Sequence, residues 1–322
     1  MKKFFFSIVA LAAIATGCSM SEVENNPGAT TPISFDTYFG KAATKAAAYE
    51  QANLREDGFT VYAYDHAADA VANYSSAWET FELKYRTSWD YEGDRVYWPS
   101  NGNQVDFFPT PKGATLEEGQ TEFAFTVEES PAAQVDLVAA LASLNQSASV
   151  TNSAVKFEFK HLLSRVAFYL QITGSDPVTV SSVKLYGDFA SAGNVDLKAE
   201  TLEIVPTTDK TAEPVTFDNA EESTQLAAYS LLTEEVEMTE SAYISTEYMM
   251  LIPAEVKGIA ITYAIGNNES TKVARAFEAY ELEASKAYKF TFVVSSDAIS
   301  FEVADNFSWG EEINGWGESI KL

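Results

Sequence analysis

The chain has 322 residues, with 47 Asp and Glu against 21 Lys and Arg, two His and one Cys. A formal charge of −26 excludes a nucleic-acid backbone binder, which needs clustered cations, and a single Cys excludes an intrachain disulfide, a CxxC redox pair and a thiolate zinc site. Hydrophobic content of 46% and aromatic content of 13% exceed what disordered acidic chains carry, and the length suits about two domains with real cores.

Met1-Lys2-Lys3 is a short basic start, and Phe4 to Ala15 is an apolar run broken only by Ser7. That run is too short for a comfortable span of ~20 residues and reads as a secretory signal peptide. Ala15-Thr16-Gly17-Cys18 resembles a bacterial lipobox, which makes residues 1–17 a lipoprotein signal peptide and Cys18 the lipidated first residue of the mature chain. The alternative is an ordinary signal peptide with a chance Cys. Removing residues 1–17 takes away Lys2 and Lys3 and no acid. The lipid would supply the membrane affinity that charge opposes, ~0.8 kcal/mol per buried CH₂. Residues 18–30 are small and polar and read as a flexible tether. Glu22 and Glu24 either resemble the surface-export signals of Bacteroidetes-type lipoproteins or belong to a plain solvated tether.

From residue 31 the pattern is that of strands, with β-branched and aromatic residues at every second position. Ile33, Phe35 and Thr37 share one face of a short first strand. Lys41 to Glu56 is Ala-rich and predicts a modest helix or a pliable loop. Alternation resumes at Phe59–Tyr64, Phe81–Tyr85, Val105–Phe107, Phe123–Val127, Val155–Phe159, Val166–Ile172 and Val178–Leu185. Asp218 to Leu232 predicts a short covering helix. Met249–Ile252, Ile259–Tyr263 and Tyr288–Val294 are more continuously apolar, as in strands buried on both faces. Ile299, Phe301 and Val303 form a last clear strand. Turn residues such as Gly93-Asp94 and Gly266-Asn267-Asn268 separate the runs. The expected class is all-β, built of β-sandwiches. A Ser/Asn/Thr-rich stretch at 145–154 places the boundary between an N-terminal sandwich at 31–150 and a C-terminal one at 151–322.

Little in the sequence carries chemistry. His161 has Ser164 nearby, but three residues along a strand puts it on the opposite face, so His161 reads as a structural, hydrogen-bonded residue. His66 reads as a surface loop residue. Asp90, Glu92 and Asp94 lack the twelve-residue calcium-loop spacing and read as a solvated turn, as do Glu234, Glu235, Glu237 and Glu240 as an acidic edge. Trp78, Trp89 and Trp98 with Tyr85, Tyr91 and Tyr97 are either sandwich core or a sugar-stacking platform. No phosphate loop, GxSxG elbow or HExxH is present. Among 47 acids a hydrolytic carboxylate pair is conceivable, but nothing points to one. No catalytic residue, metal ligand or cofactor is predicted, and the chain is not expected to be an enzyme.

Several segments in order resemble the fimbrillin family, the pilus subunits and related lipoproteins of Bacteroidetes. They are Ile33-Ser34-Phe35 before Thr44-Lys45-Ala46, then Gly58-Phe59-Thr60-Val61-Tyr62-Ala63-Tyr64, then Val96-Tyr97-Trp98-Pro99 before Val105-Asp106-Phe107-Phe108. Asp136-Leu137-Val138-Ala139-Ala140, Phe157 to Val166, Tyr248 to Pro253 and Ile259 to Tyr263 continue the series. Pro109 departs from the family's usual Ala-Tyr continuation. The resemblance implies two tandem transthyretin-like β-sandwiches, export as an outer-membrane lipoprotein, and a fimbrial subunit or adhesin. It also implies that an Arg- or Lys-specific protease removes the first strand, opening a groove that a strand from another pilin subunit fills. Carried over, the displaced strand is Ile33 to Phe39 with Ile33 and Phe35 as plugs. The cut follows Lys45 by position or Arg55 by chemistry; Lys45 stands where many members have Arg. The donor strand lies near the C-terminus, around Ile299 to Val303 or in the tail Phe307 to Leu322. A non-polymerising surface lipoprotein that binds a glycan or host ligand is the alternative.

Overall fold

The computed structural model describes residues 31–39, 51–68, 70–150, 154–174, 176–232, 234–238, 242–244, 248–295, 299–308 and 320–321. The signal peptide, Cys18, the tether, Lys45 and most of the C-terminal tail lie outside the described residues. Among those described, no helix is long and apolar enough to cross a membrane.

The structure is essentially all-β. In chain order it runs β1 (Phe35–Phe39), α1 (Gln51–Asp57), β2 (Phe59–His66), β3 (Glu79–Tyr85), β4 (Trp89–Tyr91), β5 (Gln104–Pro111), β6 (Glu122–Thr126), β7 (Val138–Ala139), β8 (Ser143–Gln146) and β9 (Val155–His161). It continues with β10 (Ser164–Ile172), β11 (Val178–Gly187), β12 (Ala190–Asp196), β13 (Val205–Asp209), β14 (Ala212–Val215), β15 (Thr224–Ser230), β16 (Val236–Met238), β17 (Ala242–Ile244) and β18 (Met249–Leu251). The last strands are β19 (Glu255–Ile265), β20 (Thr271–Glu281), β21 (Lys286–Val294), β22 (Ile299–Ser308) and β23 (Ile320–Lys321).

One core forms where the sheet β1-β9-β7 meets the sheet β4-β3-β2-β5-β8. Ile33, Phe35, Val61, Phe81, Phe107 and Phe157 fill it, each taken from the inward positions of an alternating strand. A second core lies between β17-β10-β21-β22-β23 and β14-β15-β11-β19-β20, filled by residues such as Phe168, Val183, Ile261 and Phe292. A third cluster joins Tyr64 and Phe108 of the first half to Val195, Leu197 and Ile252 of the second, with β6 paired to β12. β9 follows residue 154 directly, pairs with both β1 and β7, and gives Val155, Phe157 and Phe159 to the first core.

One expected element needs correction. Asp218–Leu232 is not a helix: Thr224–Ser230 is a strand paired with β11 and β14. Its sequence has the period of two, with Ala227 and Tyr229 in one cluster and Leu226 and Ala228 packed against another, and sheet pairing overrides the helix propensity of Leu and Ala. In the Ala-rich 41–56 segment the described helix is only Gln51–Asp57. It ends at Gly58, whose φ of +76° and N–H bond to Leu54 O (2.8 Å) make a left-handed stop.

Candidate functional site: the first strand and its cleft

β1 and the residues just before it send alternate side chains into the first core. Ile33, Phe35 and Thr37 are buried and Ser34, Asp36 and Tyr38 exposed, so one side of the segment is apolar and the other wet. The Phe35 ring meets Phe81 at 5.0 Å, Phe107 at 5.6 Å and Tyr91 at 6.4 Å edge-on, and stacks on Phe157 at 6.2 Å. Phe39 packs on Phe159 and His161 at the far end. Thr37 Oγ1 accepts from the buried Trp89 Nε1 at 2.8 Å and from Gln51 Nε2 at 2.7 Å. Burying Ile33 and Phe35 stabilises by about 1.5–3 kcal/mol each, a large share of the roughly 5–15 kcal/mol that holds a domain folded.

The backbone is held along one side. β1 runs parallel to β9 from Phe35↔Val155 to Phe39↔Phe159, and it is the end strand of its sheet. Before β1, Ile33 N–H donates to Val96 O (2.9 Å), Trp98 N–H to Thr31 O (3.2 Å), and Tyr91 OH to Ile33 O (3.3 Å). On the outer edge, Thr37 N–H takes the Asp36 carboxylate at 2.9 Å. An edge strand whose side chains fill the core leaves an apolar slot and a row of β9 backbone groups when it departs.

The segment following β1 carries the candidate cleavage residues. Lys45 lies outside the described residues. Arg55 is exposed on α1, its guanidinium 4.2 Å from the centre of the Tyr85 ring. The neighbouring Leu54 is fully buried in the same core as Phe35. At the C-terminal end, β22 pairs with β21 and β23, and Phe301 packs edge-on against Phe292 at 5.3 Å. Ile299 and Phe301 of the candidate donor segment are thus packed against the second core in this conformation.

The other singled-out residues are structural. His161 is buried, with Nδ1 2.7 Å from Asp136 Oδ2, while Ser164 Oγ donates to Glu283 O (2.8 Å). His66 is buried, not a surface loop residue: it ends β2 with Nε2 3.2 Å from Asp106 Oδ1, and Asp106 also accepts from Tyr74 OH. The buried Arg165 lies with its guanidinium 3.6 Å from the centre of the Tyr248 ring. Burial lowers its pKa below the usual guanidinium value, against the pull of Tyr248 and Asp136. Asp90 is engaged by Arg95 at 2.8 Å, and Glu92 by Lys84 at 3.4 Å. Trp89 and Trp98 are core residues, while Trp78 and Tyr97 are exposed. Among the described residues no cluster of three or more His, Cys, Asp or Glu could hold a metal ion. Thr37, Phe39 and Leu54 belong to the site as well. Alternation could have found Phe39, but the Thr37–Trp89 bond joins residues too far apart in sequence to be seen there.

The fimbrillin-like family model matches residues 44–316. No curated protein matches the chain. Crystal structures share the fold. A fimbrial protein from Bacteroides vulgatus aligns with a TM-score of 0.51 at 16% identity, over 86% of this chain and 99% of that one. Putative cell adhesion proteins from Bacteroides uniformis (0.51, 16%, covering 86% and 98%) and Bacteroides ovatus (0.52, 14%, covering 88% and 99%) align equally well.

Proposed function

The chain belongs to the fimbrillin-like family, and from that premise we propose that it is a surface fimbrial subunit assembled by strand exchange. Export as a lipoprotein through Cys18 brings it to the outer membrane. A proteolytic cut between β1 and β2 releases Ile33–Phe39. The slot that opens is lined by Phe81, Tyr91, Phe107 and Phe157, the rings that now hold Phe35. An extended strand from another subunit, with apolar residues at alternate positions, refills it through main-chain hydrogen bonds. The observation that carries this reading is that β1 is an end strand bonded along one side while its side chains sit at the centre of the first core.

The same geometry favours a cut at Lys45 over one at Arg55. Cutting after Arg55 would take Leu54 away with β1 and strip a second plug from the core. Cutting after Lys45 leaves α1 and Leu54 in place. We read the domains as two tandem transthyretin-like sandwiches, and the pairing of β9 with β1 supports a boundary just after His161, later than the linker at 145–154 suggested.

Mass spectrometry of the subunit N-terminus in assembled fibres tests this. A mature start just after Lys45, with ladders that survive SDS, is expected; fibres whose subunits still begin at lipidated Cys18 would overturn it.

A further inference from the structure

A second cleft lies beside the first core, on the free edge of β3. β3 pairs with β2 from Glu79 to Leu83, but β4 covers it only at Leu83–Tyr85. The chain then leaves β4 and turns toward the start of β1, where Pro32 bridges Tyr97. Between the uncovered Glu79–Glu82 edge and the 92–96 segment is a cavity of about 490 Å³. Its lining includes Phe81, a core side chain.

The backbone here is ready for a partner strand. Thr80 N–H is held by the carboxylate of its own neighbour, Glu79 Oε1, at 3.1 Å, so it faces away from β2. The two-residue period of a strand turns the Glu82 N–H the same way. An incoming strand need only displace one exposed carboxylate to reach that N–H. Charge selects the occupant. Of the acids lining the cleft, Glu92 is paired with Lys84, and Arg95 is paired with Asp90. Among the described residues no ion pair neutralises Glu79, Glu82 or Asp94. These carboxylates favour a cationic segment and repel an acidic one.

We propose that the β3 edge is a docking groove for an extended, Lys- or Arg-bearing peptide segment of another protein, added as a further strand to the β4-β3-β2-β5-β8 sheet. Residues alternate across the added strand. Cationic side chains would lie beside the exposed Glu82, and apolar ones on the side of Phe81. The groove borders the slot of β1 through Phe81 and Tyr91 but opens on the outer edge of β3, so it is available while β1 is still in place.

The test uses the uncleaved chain, and its failure would leave the strand-exchange reading untouched. A labelled ten-residue peptide alternating Lys and Val is titrated by fluorescence anisotropy, with a Glu–Val peptide for comparison. Saturable binding of the Lys–Val peptide is expected, weakened by added salt and reduced about two- to fivefold by Glu82→Gln. Hydrogen exchange should slow at Thr80 and Glu82. Thr80→Pro should abolish binding, since proline has no N–H to offer; should that variant unfold, Glu82→Lys on the exposed face serves in its place. No saturable binding, equal binding of the Glu–Val peptide, or protection appearing at β9 in place of β3 would each overturn the proposal.

Discussion

Phe35 shows how much rests on one side chain. Its ring is bordered by Phe81, Tyr91, Phe107 and Phe157, so truncation leaves a void lined by aromatic edges that cannot collapse far. Phe35→Ala should cost about 3–5 kcal/mol in urea unfolding. Thr37→Val tests the polar partner of the same strand: it keeps the shape but leaves the buried Trp89 N–H without its acceptor, for about 1–3 kcal/mol. Tyrosines set an alkaline limit. Burial, helped by Glu129, pushes the Tyr229 phenol up to about 12, from an ordinary value near 10. Burial and Asp106 raise Tyr74, and burial and Glu213 raise Tyr186, further still. The folded state thus holds these protons more tightly than the unfolded chain. Their contribution is complete below about pH 10 and lost as pH climbs through 12. Stability followed by circular dichroism should fall across that window, and Tyr229→Phe should make the fall shallower.

At the scale of the element, β1 and α1 play different parts although they are neighbours in sequence. β1 is an end strand, so its only strand-to-strand ladder is with β9, although the 96–98 segment and Trp89 also hold it. α1 is pinned by Leu54, capped at Gly58, and paired through Asp57 with Lys112, in the turn after β5, at 3.0 Å. Gly58 tolerates no side chain, because a Cβ there would lie 2.4 Å from Leu83 O at a positive φ. A chain cut after Lys45 and stripped of β1 should therefore keep α1 but lose stability in its first core. A synthetic peptide of residues 31–39 added in trans should restore the thermal midpoint, and a peptide with Ala at position 35 should not. Equal rescue by both peptides would show that backbone pairing alone holds the strand.

At the scale of the molecule, the acid excess and the lipid proposed at Cys18 would act against each other. The whole chain carries −26 at neutral pH and is repelled by an anionic membrane, a repulsion that the proposed anchor would have to offset. Cys18→Ala should move the protein from the membrane to the soluble fraction; retention at the membrane would refute lipidation as the anchor. The third cluster, which joins strands from both halves, gives the two cores a shared packed region. Their thermal unfolding should therefore overlap more than that of units joined by a bare linker.

Local patterning was enough to establish an all-β chain, the inward face of the first strand and the absence of recognisable catalytic motifs. Period-two alternation and turn residues are written in adjacent positions: Ile33, Phe35 and Thr37 announce their shared face without help from the rest of the chain. The Asp218–Leu232 segment misled because Leu and Ala suit a helix, and only pairing with β11 and β14 makes part of it a strand. Tertiary structure alone decided which strand lies at an end, and that is what makes β1 an edge strand with its side chains in the core. Its parallel partner β9 lies about 120 residues away, its Thr37 is fixed by Trp89, and His66 becomes buried only because β5 brings Asp106 beside it. Such contacts depend on which distant segments the sheets bring together, and the pattern of near neighbours carries no record of that.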